Sequence, residues 1–248
     1  MRTFGIIGFP LSHSFSQKYF TEKFAAEGIT DAVFNAYPME HIAQLTQLLE
    51  SEQTLEGFCI TIPHKRNVLP WLSHVSPAAE QMNACNCVRV KGGRLFGYNT
   101  DCTGFQRSFT PQLQSHHTQA LILGTGGAAA AIEYTLKQLG MPYKYVSRTP
   151  HENYLTYDML TADIMAAYLV IINCTPLGTY PDVETAPPIP YELVTPQHYL
   201  YDVVYNPPLT RFLQHGTEKG AVVKNGYDML TIQAEENWKI WNDVVSGE

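Results

Sequence analysis

Apolar residues in this chain come in short runs separated by glycine, proline and small polar residues, and the spacing inside the runs changes along the sequence. The first run closes at Ile6 and Ile7, stops at Gly8 and predicts a strand over 1–8. Residues 8–14 read as a loop. A helix follows, with Ser14 or Ser16 as its N-cap and Gly28 just past its end. Further strands are expected over 33–37 and 58–62, the latter stopped by Pro63. Between them Ile42, Leu45, Leu48 and Leu49 recur at helical spacing within 39–50. Runs over 87–90 and 95–98 flank Gly92-Gly93 as a hairpin.

The pattern then changes near Gln119. Ala120 to Leu123 are continuously apolar, as in a strand buried on both faces. Glycines follow at once, then an Ala-rich helix to Leu139 with Gly140 as its stop. Runs over 143–146, 169–172, 200–204 and 221–223 alternate with polar stretches, and 227–241 turns helical again. Residues 181–190 are a Pro-rich loop. This alternation predicts an α/β protein of two domains: an N-terminal α/β domain and a Rossmann-type, doubly wound parallel domain.

Composition narrows the function classes. With 248 residues, 45% of them hydrophobic and 16% charged, the chain is long enough to bury real cores. Its net charge is −7 and its Lys and Arg are unclustered, which argues against a nucleic-acid partner. No apolar run reaches bilayer length, and the first residues lack signal-peptide order, so a cytoplasmic protein away from membranes is expected. The five cysteines are an odd number, against a disulfide framework. Cys85 and Cys87 lack zinc spacing, and no metal is expected.

Two places carry chemistry. Gly124-Thr125-Gly126-Gly127-Ala128-Ala129 matches G-x-G-x-x-A between a strand and a helix, where a backbone can approach a pyrophosphate at a helix N-terminus. The next strand ends in Ser147-Arg148-Thr149. An NAD enzyme places a carboxylate there for the ribose, whereas an Arg suits the 2′-phosphate of NADP. Elsewhere, Lys65 follows Pro63 just past a strand end and Asp101 follows the hairpin. A lysine and a carboxylate can polarise a carbonyl and move a proton, although spacing alone does not bring them together.

Several stretches resemble motifs of one family. Gly8-Phe9-Pro10 with His13-Ser14-Phe15-Ser16, Thr61-Ile62-Pro63-His64-Lys65, Asn83-Ala84-Cys85-Asn86 and Gly97-Tyr98-Asn99-Thr100-Asp101 lie in the first half. Gly124-Thr125-Gly126-Gly127-Ala128, Asn173-Cys174-Thr175-Pro176-Leu177-Gly178 and Asp202-Val203-Val204-Tyr205-Asn206-Pro207 follow in the second. Together, and in this order, they resemble the shikimate dehydrogenases over nearly the whole chain. The resemblance implies a substrate domain over 1–102 with 226–248 and an NADP domain over 103–225. It implies that Ser14 and Ser16 bind a carboxylate, and that Lys65, Asn86 and Asp101 contact ring hydroxyls. Thr61, Tyr205 and Gln233 would complete that pocket. Lys65 and Asp101 would be the catalytic pair, with the proton carrier left open between them. Along the cofactor it implies Gly124, Thr125, Gly126, Gly127, Ala128, Ser147, Arg148, Thr149, Thr175, Leu177, Val203, Gly226 and Met229.

The implied activity is NADP-dependent, reversible reduction of 3-dehydroshikimate to shikimate in aromatic amino acid biosynthesis, by a monomer or homodimer. The alternatives are a quinate or broad-specificity dehydrogenase of the same family, or a non-catalytic nucleotide-binding module. The chain departs from the family at Cys59, where the usual residue is an Asn that helps bind a ring hydroxyl, and at Gln17 and Cys87, which replace a Pro and a Thr. Because a thiol is a poor hydrogen-bond donor, restoring Asn at position 59 is expected to tighten shikimate binding.

Overall fold

The computed structural model describes residues 1–11 and 15–243. They form two compact units: Met1–Thr100 with the chain from Ala234 on, and Asp101–Gln233. The sequence reading set these breaks at 102/103 and 225/226. A close approach explains the later second break. A Cβ on Gly104 would stand 2.5 Å from the carbonyl oxygen of Met229, so the last helix starts packed on the second unit.

The first unit contains β1 (Arg2–Gly8), α1 (Phe15–Glu27), β2 (Ala32–Pro38), α2 (Gln44–Ser51), β3 (Leu55–Ile60), α3 (His64–Asn67), β4 (His74–Val75), α4 (Pro77–Met82), β5 (Cys87–Lys91) and β6 (Arg94–Tyr98). Its sheet runs β2-β1-β3-β5-β6-β4. β1 is parallel to β2 and β3, whereas β5 is antiparallel to β3 and β6. The period of two sorts side chains into two cores. Phe4, Ile6, Cys59 and Cys87 meet Phe20 and Phe24 of α1 on one face, together with Trp241. Ile7, Phe58, Ile60 and Val88 meet Leu45 and Leu48 of α2 on the other.

Two elements of this unit differ from the sequence reading by more than one residue. The helix expected over 39–50 begins only at Gln44, because Met39 is held as a loop: its N–H donates to Gly8 O at 2.9 Å and its carbonyl lies 2.8 Å from His64 Nε2. The strand expected over 58–62 starts earlier, at Leu55, and ends at Ile60, where Thr61 O accepts the His64 N–H at 3.0 Å and turns the chain.

The second unit contains α5 (Asp101–Phe109), β7 (Ala120–Leu123), α6 (Ala129–Gln138), β8 (Tyr143–Val146), β9 (Tyr154–Leu155), α7 (Ala162–Ala167), β10 (Val170–Asn173), β11 (Tyr199–Asp202), α8 (Arg211–Glu218) and β12 (Val222–Lys224). α9 (Tyr227–Trp241) starts here and ends in the first unit. The sheet order is β12-β11-β10-β7-β8-β9, with every pair parallel. This is the doubly wound order, with its switch point between β7 and β10, where such folds bind ligands beyond the strand ends. Ala120, Ile122 and Ile172 face Phe105, Phe109 and Ile132 on one side; Leu121, Ile171 and Leu200 face Phe212 and Met165 on the other. β11 stops at Asp202 and not at residue 204, because the Asp202 carboxylate accepts the Val204 N–H at 3.0 Å and turns the chain out.

Among the described residues no helix is long and apolar enough to cross a membrane, and no group of three or more His, Cys, Asp or Glu is placed to hold a metal ion. The five cysteines are thiols, all buried.

Candidate active site

At the switch point of the second unit a cleft of about 390 Å³ is lined by Gly124, Thr125, Gly126, Ser147, Arg148, Thr149, Thr175 and Leu177. The β7–α6 turn shows what its glycines are for. Gly124 has φ +88° and a Cβ there would lie 2.8 Å from Thr175 Cγ2, so both backbone conformation and crowding demand glycine. Gly126 and Gly127 differ. Neither has a positive φ, a Cβ on Gly126 would come no nearer than 3.8 Å to the chain, and one on Gly127 would meet nothing within 4 Å. The protein itself does not need glycine at these two positions, and the space beside them fits a group from outside the chain. Ala128 caps α6 with no side-chain acceptor, leaving the helix N-terminus suited to phosphate oxygens.

On the opposite wall the Thr149 N–H donates to Ser147 Oγ at 3.1 Å, and this tight turn sets Arg148 exposed at the rim. No carboxylate ends β8. The residues present therefore fit a dinucleotide bearing a 2′-phosphate. On the β10 side, Thr175 Oγ1 donates to Asn173 Oδ1 at 2.6 Å and accepts the Leu177 N–H at 3.3 Å. Val203, Gly226 and Met229 do not line the cleft; they sit at the end of β11 and the start of α9, where the Gly226 N–H donates to Val204 O at 3.1 Å.

In the first unit, backbone bonds gather the expected substrate residues at the C-terminal ends of β1 and β3. The Thr61 N–H donates to Ile7 O at 3.0 Å, the Cys85 N–H to Lys65 O at 2.8 Å and the Ile60 N–H to Asn86 O at 2.8 Å. Lys65 is half-buried on α3, and Ser16 is buried in the first turn of α1. Ser14 lies outside the described residues. In the second unit, Asp101 is buried at the start of α5. Tyr205 follows β11, its phenol pushed up by burial, and Gln233 is buried on α9, donating to Leu230 O at 2.9 Å.

Asn86 is fixed by a polar chain inside the first unit. Its Oδ1 accepts the Thr100 N–H at 2.7 Å and its Nδ2 donates to Thr100 Oγ1 at 3.0 Å. Thr100 Oγ1 donates to Asn237 Oδ1 at 2.6 Å, and Asn237 Nδ2 donates to Cys59 Sγ at 3.2 Å.

Comparison with known proteins bears on both units. The family model described as the Shikimate dehydrogenase substrate binding domain matches residues 6–88. A protein of Caldicellulosiruptor saccharolyticus named Shikimate dehydrogenase (NADP(+)) is 32% identical, covering 99% of this chain and 94% of its own. The chain belongs to the shikimate dehydrogenase family. Among solved members, the shikimate 5-dehydrogenase of Thermus thermophilus in complex with NADP(H) and shikimate is similar at TM-score 0.86 and 29% identity, covering 98% of this chain and 94% of its own. The ligand-free 5-ketofructose reductase of Gluconobacter sp. strain CHM43 is similar at TM-score 0.83 and 26% identity, covering 97% and 92%.

Some residues around the site carried no expected role. Tyr157 lines the cleft beside Arg148: burial raises its phenol and the guanidinium pulls it back down. No sequence pattern marks it. Asn173 and Asp202 were only motif letters of the shikimate dehydrogenase resemblance. They are in register on β10 and β11, fully buried, with Asn173 Nδ2 donating to Asp202 Oδ1 at 2.9 Å and Thr210 Oγ1 donating to Asp202 Oδ2 at 2.6 Å. The signal was legible: each is a polar residue closing an otherwise apolar strand.

Proposed function

We propose that this chain interconverts 3-dehydroshikimate and shikimate with NADP as cofactor. The observation that carries the reading is the cleft that joins Gly124, Thr125 and Gly126 to Ser147-Arg148-Thr149, in a chain alike over 99% of its length to an NADP-linked shikimate dehydrogenase. When bound, the nicotinamide supplies a hydride for the C3 carbonyl carbon of 3-dehydroshikimate. The chain's own residues do the rest. The Lys65 ammonium donates a hydrogen bond to the carbonyl oxygen as negative charge grows there, and the proton that completes the hydroxyl comes from the catalytic groups Lys65 and Asp101. The Asp101 carboxylate accepts from a ring hydroxyl. Ser14, Ser16, Thr61, Asn86, Tyr205 and Gln233 orient the acid and its hydroxyls, so the reacting carbon is presented in one pose. Thr125, Thr175, Leu177, Val203, Gly226 and Met229 are assigned along the cofactor.

The test is NADP reduction with shikimate, with quinate and with no acid; reduction with shikimate alone supports the reading, and none with either acid overturns it. A second reading, a broader polyol-acid dehydrogenase, is favoured by Cys59 at the family's Asn position, and comparable rates with quinate would establish it.

A further inference from the structure

We propose that Asn237 is a positioning residue of the substrate half, supplying from α9 a buried carboxamide beside position 59, where relatives carry one on the strand itself. The inference rests on the proposed function and deepens it. Cys59 lies on β3, opposite Ile6 of β1 and Cys87 of β5, with its side chain on the face that α9 covers. On α9, Met229, Gln233, Asn237 and Trp241 recur every four residues and form one buried stripe. Asn237 is completely buried, and its carboxamide is used at both ends, Oδ1 by Thr100 and Nδ2 by Cys59.

The Thr100 hydroxyl has two acceptors in reach, Asn237 Oδ1 at 2.6 Å and Asn86 Oδ1 at 3.3 Å, and the nearer one takes the proton. Its oxygen is then open to accept from Asn86 Nδ2 at 3.0 Å. Asn237 thereby sets the direction of the Thr100 hydroxyl and keeps its oxygen turned to accept from Asn86 Nδ2, so that the Asn86 amide, whose Oδ1 already takes the Thr100 N–H at 2.7 Å, is held at both ends. Asn86 is the residue assigned to a ring hydroxyl, so Asn237 acts on substrate through two intervening bonds. The small thiol is what makes room. An Asn at position 59 would extend past the sulfur position into the atoms of Asn237, which already stand 3.2 Å away. The sequence expectation that Cys59→Asn tightens shikimate binding is therefore reversed while Asn237 is present.

The test is a double-mutant cycle of Cys59→Asn and Asn237→Ala, read by the shikimate dissociation constant from calorimetry and by KM and kcat with NADP. Each single variant is expected to weaken shikimate roughly three- to tenfold, the loss of about one net hydrogen bond, with kcat and NADP affinity nearly unchanged. The double variant is expected within about threefold of wild type, because a carboxamide at 59 fills the space left by Asn237. Asn237→Ser, which keeps an acceptor for Thr100, is expected to fall between wild type and alanine and guards against a misfolded alanine variant. Unchanged shikimate affinity in Asn237→Ala and Asn237→Ser, or a double variant as weak as the product of the singles, overturns the inference and leaves the functional reading standing. A wild type that neither binds nor oxidises shikimate overturns both.

Discussion

Arg148 and Lys65 are the residues on which the chemical reading turns. Arg148 stands exposed at the rim of a cleft with no carboxylate at the end of β8. Arg148→Ala should weaken NADP by roughly ten- to a hundredfold, on the scale of a charge-assisted bond of ~1.5–3 kcal/mol, and NAD far less. Fluorescence titration with both cofactors checks this, and equal losses would assign Arg148 to the loop's structure alone. Lys65→Met keeps most of the stem and removes the charge; kcat should fall about a hundredfold or more, with NADPH affinity and melting temperature near wild type. A third prediction concerns Asp202. Burial pushes its carboxyl up to about 6, against hydrogen bonds from Thr210, Val204 and Asn173 that favour the anion. A raised carboxyl pKa means that the folded state holds its proton longer than the unfolded one. This group's contribution is therefore greatest below pH 4 and declines as pH rises through 6, by on the order of 3 kcal/mol. Melting temperatures from pH 4 to 8 should carry that falling component in the wild type and lose it in Asp202→Asn. That variant should also be less stable at pH 8, since its amide N–H would face groups that already donate. The motif letters around these residues were legible in sequence, but burial and hydrogen-bond direction were not. They depend on which side chains lie opposite, as Asn173 and Asp202 do across two strands 29 residues apart.

At the scale of elements, the strand–turn–helix of β7 and α6 was readable because a buried strand, a glycine turn and a helix follow one another without interruption. α2 was read too long, because Ile42 keeps helical spacing while Met39 is tied into a loop by Gly8 and His64, partners remote in sequence. α7 and α8 are short and held by tertiary packing. Their caps, Thr161 and Thr210, are the local signals that would have revealed them. The β7–α6 turn yields a contrast between its glycines. Gly124→Ala should lower the melting temperature, since both its φ of +88° and the Thr175 methyl oppose a side chain. Gly126→Ala should melt like the wild type, because its Cβ would come no nearer than 3.8 Å to Cys174 O, yet weaken NADP by roughly tenfold or more if, as proposed, the phosphates approach the backbone there. Loss of stability in Gly126→Ala, with NADP affinity kept, would show that the chain itself requires that glycine.

Over the whole molecule, all five thiols are buried, and burial pushes that of Cys102 up to about 11. Native protein at pH 8 should therefore react with a thiol reagent far more slowly than protein unfolded in guanidinium, where all five should titrate; rapid native labelling would contradict the packing. The two-domain class was legible because the hydrophobic period changes near Gln119, but the break within α9 was not, since one uninterrupted helix gives no pattern change at residue 234. That break has a consequence for synthesis. The second unit is a single stretch of chain, Asp101–Gln233, and its parts are all present before the last residues are made. The first unit begins at Met1 yet at that stage still awaits its own Trp241, which stacks on Phe4 at 5.1 Å and donates to Val88 O at 2.9 Å. On the ribosome, the half made first is therefore the half completed last. Until α9 leaves the exit tunnel, Phe4, Ile6, Phe20 and Phe34 have no closing ring above them. A nascent chain stalled short of residue 241 would offer that aromatic face to chaperones while its younger neighbour is already able to fold.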